Sequence, residues 1–107
     1  MISIKKRRPL HWTSHSRYKM RFYGLSESRV KRVISFPKRI EEGIAPDTVA
    51  MMQPAGTEKH PYEIWVMIQE TRKSAVTEVI SAWRYPGKTK PGQPLPEEIL
   101  KEIRRAI

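Results

Sequence analysis

A histidine, a lysine one helical turn later and interleaved arginines give residues 15–21 the widest chemical range of any stretch in this chain. Cleavage of RNA by its own 2′-hydroxyl needs a group that takes the hydroxyl proton and a group that protonates the leaving oxygen. It also needs cations for the charge growing on the phosphate. His15 suits proton transfer, because imidazole titrates near neutrality. Lys19, on the same helix edge, and Arg84, near the end of the last predicted strand, complete a candidate catalytic set by holding the phosphate. Arg17, Arg21, Arg29 and Arg32 are candidate phosphate contacts, and Tyr85 or Trp83 can stack on a base. A plainer role exists for each: a structural hydrogen bond for His15, a surface ion pair for Arg84 and a core position for Trp83.

Other chemistries find less support. His11 and His15 are spaced i, i+4, as two helical metal ligands would be. No acidic residue lies near them and their surroundings are cationic, so no metal is expected. The five glycines are scattered and form no phosphate-cradling loop, no serine sits in a nucleophile elbow, and no carboxylate pair suggests glycosidic chemistry. No cofactor is expected.

The charge distribution favours a polyanionic partner. The chain has 107 residues and a formal charge of +10. Residues 1–39 hold 12 of the 21 Lys and Arg but one of the 11 Asp and Glu, Glu27, so the whole excess is N-terminal. A one-sided basic field attracts nucleic acid, anionic lipid or an acidic protein, with nucleic acid the leading candidate. A hydrophobic fraction of 38% suffices for one small core in one domain. With no cysteine there is no disulfide framework or thiol nucleophile, and no apolar run approaches the roughly 20 residues of a membrane-spanning helix. The basic cluster Lys5-Lys6-Arg7-Arg8 is not followed by the apolar stretch of a signal peptide, which makes cytoplasmic residence the expectation.

The elements that must position these residues follow from pattern and punctuation. Residues 1–10 read as a basic arm. Thr13-Ser14 offers an N-cap for a short helix from His15 to Tyr23, closed by Gly24. Its expected core stripe is Tyr18, Phe22 and Leu25, edged by His15 and Lys19 on one side and Arg17 and Arg21 on the other. Ser26 caps a second helix, Glu27 to about Phe36, that buries Val30, Val33 and Ile34 and leaves Arg29, Lys31 and Arg32 outside. Short strands are expected at Arg39–Glu42 and Thr48–Met52, then a loop from Pro54 to Pro61. Tyr62–Glu70 reads as a central strand, and after a hairpin turn Val76–Tyr85 reads as another, with Thr77, Val79, Ser81, Trp83 and Tyr85 on one parity. Residues 86–95 form a Pro/Gly-rich linker, and 96–107 an amphipathic C-terminal helix with Ile99, Leu100, Ile103 and Ile107 on its apolar face. The expected fold is α+β: two N-terminal helices on a curved antiparallel sheet of about four strands, followed by the C-terminal helix.

The stretch His15-Ser16-Arg17-Tyr18-Lys19-Met20-Arg21-Phe22-Tyr23-Gly24-Leu25-Ser26, continued by Val30, Val33-Ile34 and Pro37, resembles an uncharacterised bacterial family. That family's pattern opens His-Ala, two residues, Arg-Met, two residues, Arg-Gly-Ile-Ser, and it is placed near the RelE-type and BrnT-type toxins of toxin–antitoxin systems. His15, Met20, Gly24 and Ser26 match directly and Leu25 conservatively, while Ser16 replaces Ala and Lys19 and Tyr23 replace the two Arg. The resemblance covers about residues 11–85. It implies a RelE/BrnT-like α+β domain, metal-independent endoribonuclease activity on RNA, and an acidic, antitoxin-type protein partner. The alternative is a module that binds nucleic acid or an acidic partner through the same basic face and cuts nothing.

Overall fold

A computed structural model describes residues 8–92 together with 101, 104 and 105. The elements run β1 (Leu10–Trp12), α1 (Ser14–Tyr23), α2 (Glu27–Ser35), β2 (Arg39–Glu42), β3 (Thr48–Gly56), β4 (Pro61–Gln69) and β5 (Thr77–Pro86). They build one five-stranded sheet in the order β1-β5-β4-β3-β2. Strands β2 to β5 form an antiparallel meander, and β1 adds to the outer side of β5 in parallel, Leu10 opposite Thr77 and Trp12 opposite Val79.

The expected fold is corrected. The sheet has five strands, and it is mixed because β1 joins β5 in parallel. Helices α1 and α2 lie at the N-terminal end, as expected, and strands alone follow α2 as far as Pro86. The C-terminal helix expected at 96–107 falls outside the described residues except for Lys101, Arg104 and Arg105. The arm expected at 1–10 lies outside them up to residue 7; Leu10 belongs to β1, and the Arg8 guanidinium donates to the Thr71 and Ser74 carbonyls of the β4–β5 turn at 2.9 and 3.0 Å.

The helices are set by local chemistry. Thr13 is extended, and its hydroxyl accepts from Ser16 N at 3.0 Å to cap α1 while lying 3.0 Å from the Val79 carbonyl of β5. At the other end Gly24 is left-handed, with φ 67°, and Gly24 N and Leu25 N return to the Arg21 and Met20 carbonyls. This double closure folds Leu25 back into the core beside Met20. Ser26 caps α2 through Arg29 N at 3.0 Å, and Val30 and Val33 face the sheet.

Both faces of the sheet are buried. On the helix side Met20, Leu25, Val30 and Val33 pack on Met51, Ile64, Val66, Ile68, Val79 and Ala82. On the other side Trp65 and Trp83 stack in parallel with centroids 5.8 Å apart, among Ala50, Met52, Met67 and Ile80. A bulge in β5 opposite Met67/Ile68 changes the parity of that strand. Val79 therefore joins the helix side while Trp83 does not, although the sequence places both on one parity.

The expected loop at 54–61 is also shorter. β3 continues through Pro54 to Gly56, paired with β4, and β2 reaches only as far as Met52 along it, so Pro54 interrupts no ladder on that side. Residues 87–92, expected as linker, are tied to the second face. Thr89 donates through its hydroxyl to the buried Glu63 at 2.7 Å, and Arg39 donates to Thr89 O at 2.9 Å with its guanidinium 5.2 Å from the Trp65 ring centroid.

Candidate nucleic-acid interface

The site begins with the way α1 lies on β5. A helix with apolar residues at 18, 20, 22 and 23 has two stripes it can bury, and this one buries Ser16, Lys19 and Met20. Ser16 keeps its hydroxyl on the Thr13 carbonyl at 2.8 Å and, being small, lets the backbone come close to the sheet. The stripe expected in the core is corrected in consequence: Tyr18 is 56% and Phe22 65% exposed, and of that stripe only Leu25 is buried. Two aromatic rings one turn apart thus lie on the outside of α1, alongside the exposed Arg17 and Arg21.

The cations around these rings are differently held. Arg17 Nη1 is 3.1 Å from Glu27 Oε2, a half-exposed pair that contributes little, and its guanidinium lies 5.8 Å from the Trp12 ring centroid. Lys19 is buried, with Nζ 4.9 Å from the Phe22 centroid and 5.1 Å from that of Tyr23. Phe22 and Tyr23 meet edge to face at 4.8 Å, so the lysine, the two rings and the C-terminal turn of α1 form one unit. On α2, Lys31 and Arg32 are exposed, and Phe36 at its end is 70% exposed.

A second group of cations gathers where α1 turns into α2 above the sheet. Cross-strand pairing puts Gln53, Ile64 and Arg84 in one row of β3, β4 and β5, on the helix side. Arg84 donates Nη2 to the Tyr23 carbonyl at 3.1 Å, with its guanidinium 4.6 Å from the Tyr62 ring centroid. Arg29 donates to Gln53 Oε1 at 2.6 Å, and the Gln53 amide donates to the Arg32 and Phe36 carbonyls. Burial holds the Arg29 guanidinium below its usual range, and repulsion from Arg32 and Arg84 adds to the shift, against the raising influence of Tyr62.

The residues singled out from the sequence are therefore brought together only in part. His15 and Lys19 follow one another on α1, His15 half-buried. Thr13 anchors the start of α1 at Val79 and Arg84 anchors its end at Tyr23, so helix and strand run the same way. The eight residue steps from His15 to Tyr23 correspond to about 12 Å of helix, which puts His15 and the Arg84 anchor at opposite ends. Tyr85 alternates away from Arg84 and packs with the second cluster, on the face without helices. Trp83, 1% exposed, is core. His11 lies in β1 with Nδ1 2.6 Å from Glu78 Oε2, so it shares no helix with His15.

Two participants were not foreseen. Tyr62 and Gln53 reach the arginines through strand register across more than twenty residues of sequence, and no local signal marks them. Among the described residues no three His, Asp or Glu side chains gather as metal ligands, and no helix is long and apolar enough to cross a membrane. Compared with known proteins, the chain matches no family model, no curated protein and no solved structure.

Proposed function

We propose that this protein binds single-stranded RNA across the outer face of α1 and the adjoining surface of α2. The observation that carries the reading is the outward placement of Tyr18 and Phe22 beside Arg17 and Arg21. Exposed aromatics give unpaired bases a surface to stack on, and neighbouring guanidiniums meet the phosphates between them. A core-forming helix of ordinary amphipathicity would hide those rings. The N-terminal charge excess adds long-range attraction to a polyanion. The resemblance of residues 15–26 to an uncharacterised bacterial family placed near the RelE-type and BrnT-type toxins supports RNA as the strand.

Equilibrium binding of a labelled single-stranded RNA and of the same sequence as a duplex tests this reading. Stacking requires splayed bases, so the single strand binds about tenfold tighter or more, each stacked base being worth about 1–3 kcal/mol. Equal affinity for both forms contradicts it.

Metal-independent cleavage of the bound strand is the second reading, favoured by the succession of His15 and Lys19 on one edge of α1. In that reaction His15 takes the 2′-hydroxyl proton, the 2′-oxygen bonds to phosphorus and the P–O5′ bond breaks. The 5′-oxygen takes a proton from solvent water while the proton on His15 returns to solvent, leaving a 2′,3′-cyclic phosphate and a 5′-hydroxyl. Arg84, on β5 beside the C-terminal turn of α1, then holds a neighbouring phosphate. Incubation with end-labelled RNA in EDTA, alone and during translation, separates the readings: cyclic-phosphate ends that vanish in His15→Ala support cleavage, and intact RNA under both conditions supports binding alone.

A further inference from the structure

We propose that the corner formed by Arg29, Arg84 and Tyr62, beneath the α1–α2 turn, is a phosphate subsite that takes one phosphodiester of the bound strand in the fork of two guanidiniums. As an RNA subsite it rests on the function proposed above; as an anion site it is tested without RNA.

The geometry supplies the reasons. Each guanidinium carries five N–H donors, and the protein uses few of them. Arg29 donates to the neutral Gln53 amide and Arg84 to the Tyr23 main-chain carbonyl. Arg84 Nε is buried without an acceptor. Among the described residues no carboxylate pairs with Arg29, Arg32 or Arg84, whereas Arg17 pairs with Glu27 and Arg39 with both Glu41 and Glu63. Like charges held together without a counter-charge cost stability: burial is the main cause that lowers the Arg29 pKa, and the neighbouring Arg32 and Arg84 lower it further. A phosphate relieves the repulsion and matches the planar forks bidentately.

The fold also fixes the groups before any ligand arrives. Arg84 is held between the Tyr62 face and the Tyr23 carbonyl, and Arg29 is held by Gln53, whose own amide is fastened to the end of α2. Donors fixed in advance lose little freedom on binding.

The experiment is a titration of the whole protein with inorganic phosphate at constant ionic strength, followed through the arginine Nε–H resonances. The expected result is a saturable shift of Arg29 and Arg84 with one common midpoint, while Arg72, exposed in the β4–β5 turn, stays put. Arg29→Gln then weakens phosphate binding about tenfold, the equivalent of one charge-assisted hydrogen bond, with Arg84 still reporting. Lys31→Gln, on the exposed side of α2, leaves the midpoint unchanged. Absence of a shift, or a linear drift shared by all arginines, overturns the proposal. If RNA binds and phosphate moves neither arginine, the subsite alone is refuted; if phosphate binds and RNA does not, the functional reading fails and the anion site stands.

Discussion

Arg84 and Tyr62 are diagonal neighbours on β5 and β4, and the guanidinium of one lies 4.6 Å from the ring centroid of the other. Tyr62 is paired with Pro86 and Arg84 with Ile64, so the contact depends on the β4–β5 register over the segment between Tyr62 and Met67, on one side of the β5 bulge. Through the Arg84 bond to the Tyr23 carbonyl the same contact fastens the C-terminal turn of α1 to the sheet. One side chain thereby links the strand register to the helix that carries the exposed rings.

Replacing Tyr62 separates the ring from its hydroxyl. Tyr62→Phe keeps the aromatic face and leaves stability nearly unchanged. Tyr62→Leu removes the face and destabilises by about 1 kcal/mol more, the usual scale of a partly exposed cation–π contact. Urea denaturation of the two variants reads the difference.

The orientation of α1 makes two neighbouring hydrophobic residues unequal. Met20, 5% exposed, fills space between helix and sheet, so Met20→Ala destabilises by about 2–5 kcal/mol. Phe22 is larger yet 65% exposed, and Phe22→Ala costs about 1 kcal/mol or less. A reversed order in urea melts means that the helix is turned the other way.

Thr13 caps α1 and bonds to β5 with the same hydroxyl. Thr13→Ala destabilises by about 1–2 kcal/mol, and Thr13→Ser recovers most of the loss because it keeps the oxygen. Thermal melts of both variants check this.

What the sequence made legible, and what it did not, follows from how far apart the deciding contacts lie. The caps at Thr13, Gly24 and Ser26, the fully buried β4 and the hairpin after it were readable because each is encoded within a few residues. β1 was missed because three residues carry no period and its partner lies 67 positions away. The faces of β5 were misassigned because a single bulge at Ile80 changes parity, and no residue type marks it. The candidate site suffered most from α1, where periodicity favours the stripe of Tyr18, Phe22 and Leu25 while the helix buries Ser16, Lys19 and Met20. The choice between them was made by the small Ser16 against β5 and by Leu25 folding back onto Met20. Arg29 and Arg32 were legible as cations near the interface, but their meeting with Arg84 depends on the sheet.

Salt dependence distinguishes phosphate contacts from stacking. In single-stranded RNA each phosphate neutralised changes the slope of log K against log salt by about 0.7. Arg17→Gln with Arg21→Gln lowers the slope by about 1.4 if each meets one phosphate, while Phe22→Ala weakens binding and leaves the slope in place. Fluorescence anisotropy across a salt series measures both.

The most direct test is the affinity of Tyr18→Ala/Phe22→Ala for a labelled single-stranded RNA, measured by anisotropy beside wild type and with a urea melt as control. Two stacked bases at about 1–3 kcal/mol each predict a loss of roughly 30-fold or more in affinity with the fold intact. Unchanged affinity in a folded double variant would contradict the assignment of the α1 face as the RNA-binding surface.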